Sequence, residues 1–456
     1  MIESRNPATG EVLATFDPHR DAEVDRRLDD AVRAQSKLKT LSVGRRSEQL
    51  RSLAEQLGQR RSELAVLATL EMGKPVVQAE QELDKAIATC EWYAGNLAGL
   101  ISPMPVASTF ERSYVRFDPL GVLLSIMPWN FPFWQVLRML VPALGAGNAV
   151  VLKHASNVPQ CAMALEEVVA ASDFPAGSLR TLLISSSEIE RVIADERIVA
   201  VALTGSSEVG AIVASQAGSH LKKQVLELGG SDPFIVLDDA DLDTAVTEGV
   251  RSRNLNAGQT CVAAKRFIVA EELVHGFAKQ MAEQTRALVV GDPMDRATDV
   301  GPLARADLVD TLVRQVAGSC ELGAEVLAGG GPPAHLSGSY FEPTVLAGVT
   351  PDMPAFSEET FGPVGAIIPA ANEDHAVELA NRCIYGLGAS VWTADLGRAE
   401  RVAARLEAGS VYINSRVSSN AALPFGGVKR SGYGRELGVF GIRELTNIKS
   451  VAVAAG

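Results

Sequence analysis

A cysteine and a glutamate stand in two glycine-bearing turns of this 456-residue chain. Cys261 closes the run Asn256-Ala257-Gly258-Gln259-Thr260-Cys261, and Glu227 lies upstream in Leu226-Glu227-Leu228-Gly229-Gly230. A thiol and a carboxylate so placed suit covalent catalysis. The thiolate attacks an electrophilic carbon, and the carboxylate activates the water that frees the product. A free cysteine is more often an apolar filler of the core, which is the reading for Cys90 and Cys161. Cys261 differs in its turn, where Gly258 permits a tight reversal after a helical pattern over 240–254. Thiolate attack on a carbonyl builds an oxyanion that needs donors, and the Cys261 backbone N–H is one. Glu227 ends an apolar strand pattern after Val225 and Leu226. There it either faces water as a strand-end charge or sits against an apolar wall as a general base with raised pKa.

Other residues suit a ligand. Asn130 is bracketed in Pro128-Trp129-Asn130-Phe131-Pro132, as a turn residue or as an amide donor. Thr204-Gly205-Ser206-Ser207-Glu208-Val209-Gly210 follows a strand pattern and opens a helix. Gly205 and Ser206 put N–H groups and a hydroxyl at a helix N-terminus, which suits a pyrophosphate and also a plain cap. No Gly-x-Gly-x-x-Gly fingerprint occupies the strand–helix turns. Lys153-His154-Ala155-Ser156 ends the strand pattern 148–152. Lys153 there either binds ribose hydroxyls or is an ordinary strand-end lysine. Arg138 lies on an apolar helix after Asn130. A lone arginine on such a face calls for a partner, either a structural carboxylate or an anionic substrate.

The pattern that must position these residues is an alternation. Helical spacing occurs over 21–39, 44–72 and 76–99, the second ending at Gly73 and Pro75. A mixed polar and aromatic stretch, 108–117, reads as a hairpin or arm. Strand patterns then follow at 120–127, 148–152, 198–203, 223–227, 233–237, 265–269, 364–369, 388–392 and 410–413. Helical patterns at 157–171, 186–194, 207–217, 240–254, 271–288, 303–323, 373–383 and 397–407 fall between them. Such alternation predicts an α/β fold of parallel sheets covered by helices. Segment 329–338 reads as a surface loop, and 447–455 as a terminal strand with no evident place, of the kind that often pairs with a neighbouring subunit.

Bulk properties narrow the function. The length suggests about three domains at roughly 150 residues each, and a 47% hydrophobic content supplies their cores. A net charge of -13 disfavours nucleic acid and anionic membranes as partners. The five cysteines form no CxxC or Cys/His cluster, so neither a disulfide framework nor a metal site is expected and a reducing, cytoplasmic setting fits. No secretory signal is visible at Met1 to Gly10. Between Leu123 and Leu152 only Arg138 is charged, but Pro128, Asn130, Pro132 and Pro142 interrupt the run. It reads as a buried strand, a turn and a pocket-lining helix rather than a membrane span.

Together the Glu227 and Cys261 turns resemble the active-site signatures of the aldehyde dehydrogenase superfamily, over most of the chain. The resemblance implies a Rossmann-type parallel-sheet cofactor domain at 1–107 and 126–227. It implies an α/β catalytic domain at 228–430 and a small β oligomerisation arm at 108–125 and 446–456. It implies a homo-oligomer, dimer or tetramer, and an aldehyde substrate. Asn130 would join the Cys261 N–H in holding the oxyanion. Trp129, Lys153, Ser156, Gly205, Ser206, Leu228, Glu359 and Phe361 would contact the cofactor, with Glu359 on the nicotinamide ribose and Phe361 beside the ring. Ser156 stands where a glutamate would exclude a 2′-phosphate, so NADP is permitted alongside NAD. Coenzyme-A-acylating relatives do not usually carry a glutamate at the Glu227 position, so hydrolysis to a free acid is expected. Pro424-Phe425-Gly426-Gly427-Val428-Lys429-Arg430-Ser431-Gly432 also matches, its glycines implying close backbone packing.

The succinate semialdehyde dehydrogenase branch is the most similar, through Leu152-Lys153-His154-Ala155, Asn157-Val158-Pro159-Gln160-Cys161 and Gly229-Gly230-Ser231-Asp232-Pro233-Phe234-Ile235-Val236. A semialdehyde carries a distal carboxylate, for which Arg138, Ser418 and Ser419 are the expected contacts, with Arg416 in the same loop. Leu255 replaces a second arginine often found in that branch, which leaves other aliphatic or aromatic aldehydes open as substrates. A non-catalytic protein retaining the fold is the remaining alternative. Ala263 replaces a second cysteine present in some relatives, so no redox lock is expected.

Overall fold

The computed structural model describes residues 1–455. Its N-terminal part is helical: Asp21–Leu38, Val43–Gln59, Arg61–Met72 and Val76–Ile101. The single helix expected over 44–72 is two, because Arg60 leaves helical geometry at φ -102 and ψ 10. Gly73 caps the second in the left-handed region at φ 82, where a Cβ would meet Pro302 at 2.7 Å. The first of these helices, Asp21–Leu38, packs on a six-stranded sheet of order Gly432–Tyr433, Lys223–Glu227, Ile198–Thr204, Val122–Met127, Ala149–His154 and Leu179–Thr181, and the other three pack against one another and against the helices Trp134–Ala146 and Pro159–Ala171. All neighbours are parallel except the short edge pair formed by Gly432–Tyr433.

Chain order in this sheet reverses between Val122–Met127 and Ile198–Thr204. In open α/β sheets such a reversal leaves a crevice beyond the carboxyl ends of the two strands, and ligands bind there. The ends in question carry Pro128-Trp129-Asn130 and Gly205-Ser206. Between Val122–Met127 and Ala149–His154 runs the buried helix Trp134–Ala146, with Pro142 inside it. No helix among the described residues is long and apolar enough to cross a membrane.

A seven-stranded sheet forms the second unit. Its order is Glu325–Ala328, Thr344–Ala347, Val364–Ala370, Ala264–Ala270, Asp232–Val236, Gly388–Trp392 and Ser410–Ile413. Only its first pair is antiparallel. Phe234, Phe267, Phe277 and Trp392 fill one face, with Phe234 and Trp392 stacked at 5.2 Å. The helices Leu242–Asn254 and Glu271–Arg286 cover them. Burying each such ring is worth roughly 1.5–3 kcal/mol, so this layer is a firm base for the turn that follows Asn254.

The third sheet has three antiparallel strands, Thr446–Val453, Arg112–Pro119 and Met104–Pro105. The terminal strand therefore has a partner in its own chain, paired from Thr446 with Pro119 to Val453 with Arg112. The expected arm boundary at 125 also moves back to Pro119, because Val122–Met127 is an inner strand of the first sheet. Strands at Ile2–Arg5, Val12–Phe16, Leu179–Thr181, Glu325–Ala328 and Thr344–Ala347 escaped the sequence pattern. All are five residues or fewer, too short to display a period. Segment 329–338 is loop, as expected.

Candidate active site

Cys261 lies where two crevices meet. One, of about 190 Å³, is lined by Lys85, Trp134, Arg138, Cys261, Ser419 and Phe425 among others. The other, of about 260 Å³, is lined by Trp129, Asn130, Gly205, Leu228, Cys261 and Phe361 among others. The second is the crevice predicted by the reversal of strand order.

The cysteine turn is held against its backbone preference. Asn256 and Ala257 adopt φ of 56 and 52, and Gly258 adopts 72. A Cβ on Gly258 would lie 2.4 Å from the Gly362 carbonyl carbon, so only glycine fits. Side chains hold this shape. The Asn256 amide donates to the Asn130 carbonyl at 2.6 Å and the Gln259 carbonyl at 3.2 Å. Arg253 donates to the Gly258 carbonyl at 2.6 Å, and Lys265 donates to the Cys261 carbonyl at 2.8 Å. None of Arg253, Asn256 or Lys265 stood out in the sequence, since nothing local to them marks a role. Burial pushes the Cys261 thiol up to about 11, against the pull of Arg138 and Lys265. The resting sulfur is therefore protonated near neutral pH.

Asn130 is buried and donates one amide hydrogen to the Gln259 carbonyl at 3.0 Å, which ties it to the cysteine turn. Its own turn is pinned from two sides. Glu82 accepts from the Phe133 and Trp134 N–H groups at 2.9 and 2.8 Å, and is ion-paired with the buried Lys74. His154 accepts from the Ala155 N–H at 2.9 Å through Nδ1 and donates from Nε2 to the Pro132 carbonyl at 2.8 Å. Burial lowers its pKa to about 4, so the ring is neutral.

Glu227 ends the strand Lys223–Glu227 and is buried, with no hydrogen-bond partner for either carboxylate oxygen. Burial first, and the nearby Glu436 second, push its pKa well above the carboxylate range. Of the two strand-end alternatives, the buried one therefore holds. Gly426 makes room for it, since a Cβ there would sit 2.7 Å from Glu227 Oε1. Glu227 lines neither crevice itself, although Leu228 and Gly229 line the second. Arg138 is buried, ion-paired with Glu436 and 4.5 Å from the Phe425 ring centroid. Its structural partner thus exists, while it also lines the first crevice with Ser418 and Ser419. Arg416 lines it too and pairs with Glu248 at 3.2 Å.

Around the second crevice, Trp129 and Phe361 meet edge to face at 5.8 Å. Glu359 accepts from the Gly230 N–H at 3.1 Å and lies 3.5 Å from Lys265. Ser206 caps the helix Ser207–Ser219 by accepting from the Val209 N–H. One expectation is corrected: the Gly205 N–H is taken by the Glu227 carbonyl at 3.0 Å, so it is not available to an anion. Lys153 and Ser156 lie outside the crevice lining. They sit at the carboxyl end of the neighbouring strand, Lys153 buried and Ser156 exposed. Arg305, 5.5 Å from the Trp129 ring, was not anticipated. The Pro424-to-Gly432 segment packs as its glycines implied, with Ser431 donating to the Gly229 carbonyl at 2.6 Å. A helix N-terminus, an aromatic pair and a carboxylate at a strand-order crevice fit a nicotinamide dinucleotide.

The family model for the aldehyde dehydrogenase family matches residues 1–451. The chain is 45% identical over 453 residues to a probable succinate-semialdehyde dehydrogenase [NADP(+)] of Synechocystis sp., covering 99% of this chain and 100% of that one. It is likewise 45% identical over 456 residues to succinate-semialdehyde dehydrogenase [NADP(+)] 1 of Mycobacterium ulcerans, covering 99% of each. Among solved structures, succinic semialdehyde dehydrogenase from Streptococcus pyogenes in complex with NADP+ superposes with a TM-score of 0.97 at 38% identity, covering 100% of both chains. The fold, the thiol between two crevices and these likenesses agree: the chain belongs to the aldehyde dehydrogenase family.

Proposed function

We propose that the protein oxidises succinate semialdehyde to succinate, with NADP+ as the preferred oxidant and NAD+ as a permitted one. The observation that carries this reading is Cys261 at the junction of the two crevices, one shaped for a dinucleotide and one rich in cationic side chains. The names of the relatives from Synechocystis and Mycobacterium ulcerans support both substrate and cofactor. Lys153 and Ser156 support NADP+, being a cation and a neutral donor with no carboxylate between them to repel a 2′-phosphate. Trp129, Ser206, Leu228, Glu359 and Phe361 would hold the rest of the cofactor, with Gly205 bordering the crevice.

Bound NADP+ supplies an acceptor for the hydride that leaves the aldehyde carbon. The remaining work falls to side chains. The Cys261 thiol gives up its proton to water, and the sulfur adds to the carbonyl carbon. The Cys261 N–H and the second amide hydrogen of Asn130 hold the oxyanion. Collapse leaves an acyl group on sulfur. Glu227, as the carboxylate and turned from its place beside Gly426 toward the sulfur, takes a proton from water, and the hydroxyl oxygen displaces the thiolate to give the acid. Arg138, Ser418 and Ser419 line the crevice that receives the distal carboxylate. Five free cysteines support a reducing, cytoplasmic setting. Phe440 and Ile448, 62% and 58% exposed, support a homo-oligomer.

The test is a panel of succinate semialdehyde, butanal and benzaldehyde, each with NADP+ and NAD+, followed by absorbance of the reduced nicotinamide. The highest kcat/KM is expected for succinate semialdehyde with NADP+. A faster uncharged aldehyde would refute the substrate and leave the reaction class standing.

A further inference from the structure

We propose that Lys85, with Ser419, is the principal anchor for the carboxylate end of the substrate. This rests on the semialdehyde reading and goes beyond it. Lys85 belongs to the helix Val76–Ile101, far in sequence from the nucleophile, and lines the same crevice as Cys261. Its ammonium donates to the Ser419 hydroxyl at 2.7 Å and stands 4.5 Å from the Trp134 ring centroid. The other cations of the crevice wall each meet a carboxylate: Arg138 pairs with Glu436, and Arg416 and Arg251 share Glu248 at 3.2 and 3.7 Å. Glu82, one turn before Lys85, is taken by Lys74. Among the described residues Lys85 has no carboxylate partner.

An ammonium held among aromatic and cationic neighbours, without a counter-ion, is a standing demand for an anion. Burial first, then Arg138 and Arg416, lower its pKa to about 8, a strain that a bound carboxylate would relieve. Ser419 both fixes the ammonium and offers its hydroxyl to the same carboxylate. Arg138, which shares its charge with Glu436, adds a second and weaker attraction. The selected ligand is thus an aldehyde with a terminal carboxylate, and an uncharged aldehyde leaves Lys85 unsatisfied.

The test compares wild type with Lys85→Met and Lys85→Arg, using succinate semialdehyde and butanal with NADP+. In Lys85→Met the ratio of kcat/KM for the two aldehydes should fall about tenfold or more, mainly through KM, the size expected for one charge-assisted contact. Lys85→Arg should recover most of the ratio. Succinate, assayed as an inhibitor of butanal oxidation, should lose potency in step in Lys85→Met. A wild-type preference that survives Lys85→Met, or a loss shared equally by both aldehydes, overturns the anchor and spares the semialdehyde reading. A wild type with no preference for the carboxylated aldehyde removes both.

Discussion

At the residue scale the chemistry turns on two groups whose surroundings work against their charged forms. Cys261 rests as a thiol and Glu227 is pushed toward its acid form, both chiefly by burial. A general base with raised pKa should impose an activity limb that climbs as pH rises through that pKa. Glu227→Gln should still release one burst of reduced nicotinamide and then turn over at least about a hundredfold more slowly. Normal steady-state turnover in that variant contradicts the base assignment. The stability consequence has a definite sign. A carboxyl whose folded pKa is raised favours the fold at low pH and loses that contribution as pH rises through the folded value. The melting temperature of wild type should therefore fall relative to Glu227→Gln on moving to alkaline pH.

His154 has the opposite sign. Its ring titrates at about 4 when folded against 6.5 in the unfolded chain. Its contribution is complete above the unfolded value and is lost as pH falls from there toward the folded one. The loss is on the order of 3 kcal/mol. Glutamine at 154 can keep the donor to Pro132 without a titrating ring. Thermal melts between pH 7 and pH 4 should show a shallower decline for His154→Gln than for wild type, and parallel declines would refute the linkage.

At the scale of elements, the Asn130 turn is held by the helix Val76–Ile101 and the loop before it. Lys74 and Glu82 form a fully buried ion pair, and Glu82 also terminates the N–H groups of Phe133 and Trp134. Lys74 further sits 3.7 Å from the Phe131 ring centroid. Removing one member of such a pair leaves a buried charge uncompensated, at about 3–5 kcal/mol. Lys74→Met should lower stability by that order in urea unfolding. It should also lower kcat, because Asn130, the proposed oxyanion donor, loses its frame. Unchanged kcat in a folded variant would mean that the turn holds itself.

Over the whole molecule, a six-stranded and a seven-stranded α/β unit each contribute to the surroundings of Cys261, and a separate three-stranded sheet packs against the first. Its terminal strand, Thr446–Val453, lies at the sheet edge, and much of it is exposed. An edge of unpaired N–H and C=O groups is a place for another chain to add. Deleting residues 446–456 should shift the protein to smaller assemblies in sedimentation velocity. An unaltered distribution would mean that this edge makes no subunit contact.

The proposed nucleophile Cys261, the proposed base Glu227 and the Pro128-to-Pro132 turn could be picked out because each lies in a short run of turn-forming residues. The alternation of strands and helices was equally legible, because periodicity is a local property of side chains. What no local pattern could state was which distant groups would meet. Lys85 reaches Ser419 across 334 residues of chain, and Arg138 spends its charge on Glu436 rather than leaving it free. The terminal strand found its partner inside its own chain. Those outcomes depend on how sheets and helices pack, and so on contacts between segments that sequence spacing leaves unrelated. The sequence by itself determined the class of chemistry and the fold that carries it. Only the tertiary structure decided which cation in the crevice was left without a counter-ion, because burial and pairing are properties of the packed molecule.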